Sequence, residues 1–67
     1  MINNFAKNLK YFRNLYKISQ QKVAECLNVD QSLISLWESS KCEPSLDMLI
    51  ELTKLFNCTL EELVMEK

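Results

Sequence analysis

Between Ser19 and Glu38 the chain reads Ser-Gln-Gln-Lys-Val-Ala-Glu-Cys-Leu-Asn-Val-Asp-Gln-Ser-Leu-Ile-Ser-Leu-Trp-Glu, and this stretch constrains the fold more than any other. Ser19 is a polar helix start, and Val23, Ala24 and Leu27 then fall on one helical face. Asn28-Val29 leaves room only for a tight turn. Asp30 starts a second helix that points Ile34 and Trp37 inward. The pattern predicts helices over about 20–27 and 31–38, joined too closely to do anything but pack against each other.

The flanking sequence supplies three more helices. Phe5, Leu9, Phe12 and Tyr16 form an amphipathic stripe over about 3–16, with Lys7, Lys10 and Lys17 on the opposite side. A loop from Ser39 to Glu43 is closed by Pro44, which disfavours helix at the residue before it. Ser45 caps a fourth helix, about 46–56, whose apolar set is Leu46, Leu49, Ile50, Thr53 and Phe56. Asn57-Cys58 breaks it, and Thr59 with Glu62 forms a capping box for a fifth helix over about 60–65. Nothing reads as a strand. The expectation is an all-α, five-helix arrangement making a single domain over 1–67, because 67 residues leave no room for a second one.

A helix pair joined this tightly serves to place its second helix in a DNA major groove. Ser19-Gln20, Val23-Ala24, the Asn28 turn, Ile34-Ser35, Trp37-Glu38 and Pro44-Ser45-Leu46 together resemble the lambda-repressor-like, Cro-type helix-turn-helix family, from Phe5 to Leu63. The resemblance implies a compact domain that binds operator DNA as a dimer and regulates transcription, as a repressor. It also implies a charge pair between Arg13 and Glu38, tying the first helix to the end of the recognition helix. The residue-level alternative is a solvated Arg13 on the basic face. Gln20, by the same resemblance, binds a phosphate and braces Gln31.

The chain contains no glycine. Tight helix ends favour a residue that tolerates positive φ, and asparagine is the next best after glycine. Asn28 and Asn57 stand where the family typically has glycine; the third such position, after the recognition helix, is Ser40.

Base reading is expected at the start of the second helix of the motif, from Gln31 and Ser32, since a glutamine pairs bidentately with adenine N6 and N7. Leu33 and Leu36 project partly outward; each can meet a thymine methyl, pack within the domain, or mark a protein-binding surface. Gln20, Lys22, Ser35, Ser39, Ser40 and Lys41 are the phosphate-contacting candidates. Leu60, Leu63 and Val64 offer more apolar surface than so short a helix hides against one core, and are expected to form a homodimer contact. Dimerisation would suit a chain this short, which buries only about 60% of its unfolded surface on folding.

Composition narrows the function classes. Cys26, Cys42 and Cys58 are odd in number, with no Cys-x-x-Cys pair and no histidine, so neither a disulfide framework nor a zinc site fits. Each thiol is expected to be a buried or half-buried small hydrophobe, with a redox role for Cys42 as the alternative. Without histidine, Cys and Ser nucleophiles lack their commonest base, and without glycine there is no phosphate-cradling loop, so an enzyme is not expected. No cofactor or metal is implied. No apolar run is long enough to span a membrane and Met1-Ile2-Asn3-Asn4 does not begin a secretion signal, so the expected location is the cytoplasm.

Net charge of −1 and a pI near 5.3 count against nucleic-acid binding, but the charge is unevenly distributed. Residues 1–22 carry Lys7, Lys10, Arg13, Lys17 and Lys22 with no acid, whereas residues 43–67 hold six acids against Lys54 and Lys67. A positive end can face phosphate while the acidic end faces away. Two readings remain open at this point. One is a sequence-specific regulator of double-stranded DNA; the other is a protein-interaction module on the same fold with little or no DNA binding.

Overall fold

The computed structural model describes residues 4–65. Five helices occupy them: α1 (Phe5–Leu15), α2 (Gln20–Leu27), α3 (Gln31–Glu38), α4 (Leu46–Phe56) and α5 (Leu60–Val64). No strand occurs among the described residues. The expected α1 start at residue 3 lies outside them, and α5 ends one residue earlier than its periodicity suggests.

Helix starts follow the capping residues. Ser19, Asp30, Ser45 and Thr59 each accept a backbone N–H from the first turn they precede, and Thr59 with Glu62 completes the capping box. Helix ends are more unusual. Lys17, Asn28, Ser40 and Asn57 have φ of 58°, 59°, 63° and 51°, so four non-glycine residues take the left-handed conformation just beyond α1, α2, α3 and α4. In each case the following N–H reaches back to a carbonyl of the last turn: Ile18 to Arg13, Val29 to Ala24, Lys41 to Leu36 and Cys58 to Thr53, at 2.9–3.0 Å. Ser40 therefore takes the conformation that glycine would take in the loop after α3.

The core gathers the inward faces of all five helices. Phe5, Leu9, Phe12, Val23, Ala24, Leu27, Ile34, Trp37, Leu49, Leu52, Phe56 and Leu63 form one buried cluster. Phe5 meets Trp37 edge-on at 6.1 Å, and Phe56 stacks between Phe12 at 5.6 Å and Tyr16 at 6.0 Å. Tyr16, the last member of the α1 stripe, is half exposed, and its hydroxyl donates to the Phe56 carbonyl at 2.9 Å. Asn8 is a buried polar residue on the inward side of α1; its Nδ2 donates to the carbonyls of Leu63 and Met65 at 3.0 and 2.6 Å, fastening α5 to α1.

Three expectations are corrected. The buried face of α4 is Leu49, Leu52 and Phe56, whereas Leu46 and Ile50 are exposed at 61% and 41%. Apolar residues cover so wide an arc of α4 that periodicity does not fix which side faces α2 and α5. Cys26 is exposed, because Val23, Ala24 and Leu27 already fill the inward face of α2 and Cys26 lies beyond its edge, while Cys42 and Cys58 are partly buried. Leu63 has no exposed surface and belongs to the core, so it is unavailable to a partner; Leu60 remains exposed and Val64 partly buried.

Candidate nucleic-acid interface

The first turn of α3 is ordered by its own cap. The Asp30 carboxylate accepts the Ser32 backbone N–H at 2.9 Å and also the Ser32 hydroxyl. Those two hydrogen bonds hold the Asp30 carboxyl below its ordinary value of 3.8, so it stays ionised. Ser32 spends its hydroxyl proton on Asp30 and presents its oxygen to solvent as an acceptor. Gln31, beside it, is exposed.

Behind this turn lies a continuous set of hydrogen bonds. Gln31 Nε2 donates to Gln20 Oε1 at 3.4 Å, and Gln20 Nε2 donates to Glu38 Oε1 at 3.0 Å. Arg13 grips the same carboxylate with two donors, Nε to Oε2 at 2.6 Å and Nη2 to Oε1 at 3.1 Å, and its Nη1 reaches the Ile18 carbonyl at 3.2 Å. The hydrogen bonding that Arg13 donates to the Glu38 carboxylate raises the Arg13 pKa above its ordinary value. Glu38 is buried, with only 6% of its side chain exposed, and the Arg13 fork supplies hydrogen-bond donors to both of its oxygens there. The arrangement fixes the far end of α3 to α1 and the near end of α3 to α2.

Around α3 the other candidates fall into two groups. At the start of α2, Ser19 accepts the Lys22 N–H at 3.0 Å, leaving Gln20 partly exposed and the Lys22 side chain exposed. Past the end of α3, Ser39, Ser40 and Lys41 are all exposed, and Ser39 Oγ donates to the Leu36 carbonyl at 3.2 Å. Ser35 is exposed on the outer side of α3 between these two groups. Leu33 is half-buried against the core, which favours packing for that residue, while Leu36 is 40% exposed.

One feature was not singled out from sequence. An open cleft of about 560 Å³ runs along α1 and is lined by Lys7, Lys10, Tyr11 and Asn14 together with Glu38 and Ser40. Lys7 and Lys10, counted from sequence only as part of the positive end of the chain, thus border the loop that follows α3. Helical spacing shows which α1 residues share a face, but not that the loop after α3 folds back beside them. Among the described residues there is no cluster of metal-ligating side chains, and no helix is long and apolar enough to cross a membrane.

The chain matches the profile of the helix-turn-helix family over residues 9–63. It is 35% identical over 60 residues to the HTH-type transcriptional activator BcrR of Enterococcus faecalis, an alignment that takes in 90% of this chain and 29% of that protein. It is 33% identical over 55 residues to an uncharacterized HTH-type transcriptional regulator of Methanocaldococcus jannaschii, covering 82% of this chain and 83% of the relative. The structure superposes over its whole length on 64% of a transcriptional regulator from Listeria innocua, with a TM-score of 0.89 and 26% identity. The chain spans less than a third of the Enterococcus activator and under two thirds of the Listeria protein.

Proposed function

The chain belongs to the helix-turn-helix family of transcriptional regulators, and from that premise we propose that it reads a near-palindromic DNA operator through the major groove, as a homodimer, and represses by occupying the site. The observation that carries this reading is the exposed first turn of α3, held in place by the Gln31–Gln20–Glu38–Arg13 hydrogen bonds. Gln31 and Ser32 are the base-reading residues, and Leu36 is the apolar contact to a thymine methyl. Gln20 and Lys22 on one side, and Ser35, Ser39, Ser40 and Lys41 on the other, contact phosphates. Repression needs only occupancy. Leu60 and Val64 supply the dimer contact, which sets the two recognition helices about 34 Å apart, one turn of DNA.

A second reading rests on Leu36, which is 40% exposed at the middle of this face, together with the net charge of −1. On that reading the face binds a protein, and Leu36→Asp breaks a complex without altering any DNA affinity.

Selection from a randomised double-stranded DNA pool at low and moderate salt tests the proposal. The expected result is a motif whose half-sites repeat about every 10 base pairs. Retention of nothing, or of sequence-blind DNA released by modest salt, rejects operator reading in favour of the protein-binding face.

A further inference from the structure

We propose that Glu38, which faces no base, determines which base Gln31 accepts, by setting the orientation of two side-chain amides in series. The inference rests on the operator-reading function proposed above. A carboxylate only accepts hydrogen bonds, so Gln20 must turn its Nε2 toward Glu38 Oε1, as it does at 3.0 Å. That leaves Gln20 Oε1 facing Gln31. An amide oxygen also only accepts, so Gln31 must offer its Nε2, as it does at 3.4 Å. One of the two Gln31 amide hydrogens is thereby committed to Gln20. What remains for DNA is the Gln31 Oε1 acceptor and a single N–H donor.

That pair complements adenine, whose major-groove edge offers the N7 acceptor and the N6 amino donor. Guanine offers two acceptors, N7 and O6, and asks for two donors. An unbraced glutamine amide can meet it with both hydrogens; the braced one sets Oε1 against O6. Arg13 completes the device. By donating to both carboxylate oxygens it fixes the Glu38 side chain in place, with Oε1 turned toward Gln20 at the head of the series. Glu38 and Gln20 are positioning residues, and the discrimination is made by Gln31.

The series has a direction, and the direction can be reversed. In Glu38→Gln, the new amide keeps its oxygen on the shorter Arg13 Nε contact at 2.6 Å and gives up the longer Nη2 contact at 3.1 Å, which puts its nitrogen at the Oε1 position, facing Gln20. Gln20 then turns its oxygen toward residue 38 and its nitrogen toward Gln31. Gln31 answers with Oε1 and releases both of its hydrogens toward the base. The expected preference becomes guanine. In Gln20→Met the brace is simply gone, and adenine and guanine become near-equal.

The experiment is pool selection with the full chain in four forms, each first checked for helical content and cooperative melting. Gln31→Ala identifies the base step that Gln31 reads, as the position that loses its information. At that step the unsubstituted protein is expected to prefer adenine over guanine by about tenfold. Gln20→Met should remove the preference, and Glu38→Gln should invert it. A purely structural role for Glu38 would weaken binding to all sequences equally and leave the preference at that step unchanged. Loss of a Gln20 phosphate contact would do the same. Retained adenine preference in folded Gln20→Met therefore overturns the proposal, even if Glu38→Gln fails to fold, and so does a step at which the unsubstituted protein prefers another base. If the unsubstituted protein selects no motif, operator reading itself fails and the amide series falls with it.

Discussion

Lys17 and Ser40 hold φ of 58° and 63°, where a Cβ crowds the following carbonyl. Asn28 and Asn57 take the same conformation with less cost, since asparagine enters the left-handed region more readily. Both asparagines were legible in the sequence as glycine substitutes; Lys17 was not, because lysine carries no turn signal and sits at the end of an apolar stripe. Replacing Lys17 with glycine removes about 1 kcal/mol of strain and returns part of it as unfolded-state entropy. The expected net gain of about 0.5 kcal/mol raises the melting temperature by a few degrees, measured by circular dichroism. A fall would show that the Lys17 side chain contributes more than its backbone costs. Asp30 makes a prediction of a different kind. Its carboxyl lies below 3.8 in the folded state because Ser32 donates to it twice, so the folded protein binds that proton less readily than the unfolded chain. The stabilisation is present above the unfolded value of 3.8, and is lost as pH falls below it through the folded value. Asp30→Asn keeps a capping oxygen but does not titrate. Its stability should fall less steeply than that of the unsubstituted protein over this acid range, in denaturant titrations repeated at each pH; identical slopes would remove Asp30 from the acid transition.

At the level of elements, the helices were readable because their starts are written locally. Ser19, Asp30, Ser45 and Thr59 mark four of them, and each caps the helix it precedes. What local pattern could not supply was phase and partnership. Leu46 and Ile50 look like core residues on α4 and are exposed, while Leu52 is fully buried, because the packing of α2 and α5 against α4 selects the face. Asn8 on α1 carries no signal of the two carbonyls it binds at the end of α5, far away in sequence. The Arg13–Glu38 contact spans twenty-five positions, and only the family resemblance pointed to it. Its energetics can be separated from its geometry. Arg13→Ala strands a buried carboxylate, and should cost about 3 kcal/mol, a large part of the stability of so small a domain. Arg13→Met with Glu38→Leu should recover most of that loss, because the desolvation of both charges disappears with the pair. Chemical denaturation of Arg13→Met, Glu38→Leu and the double variant gives the coupling directly. A double variant no more stable than Arg13→Ala would mean that the pair contributes net stability in its own right.

Over the whole molecule, the separation of charge decides how an acidic protein can approach DNA. The positive groups cluster on α1 and the start of α2, with Lys41 beyond α3, whereas α4 and α5 carry Asp47, Glu51, Glu61 and Glu62 against Lys54 alone. Presented with a duplex, the domain therefore has an attractive side and a repulsive side, and only the contacts on the attractive side release counterions. Of the residues proposed to touch phosphate, Lys22 and Lys41 are charged; Gln20, Ser35, Ser39 and Ser40 position the backbone without displacing ions. A dimer then neutralises about four phosphates, and the logarithm of its operator affinity should fall against the logarithm of salt with a slope of about −4. Lys41→Ala removes one charge from each protomer and should reduce that slope to about −2, while leaving the selected motif unchanged, since phosphate contacts carry no base information. Fluorescence anisotropy on the selected operator over a salt series measures both. An unaltered slope in Lys41→Ala would take the loop after α3 off the phosphate backbone. A slope near −7 in the unsubstituted protein would instead bring the α1 cleft into the footprint, because Lys7 and Lys10 add two further charges per protomer beside Ser40.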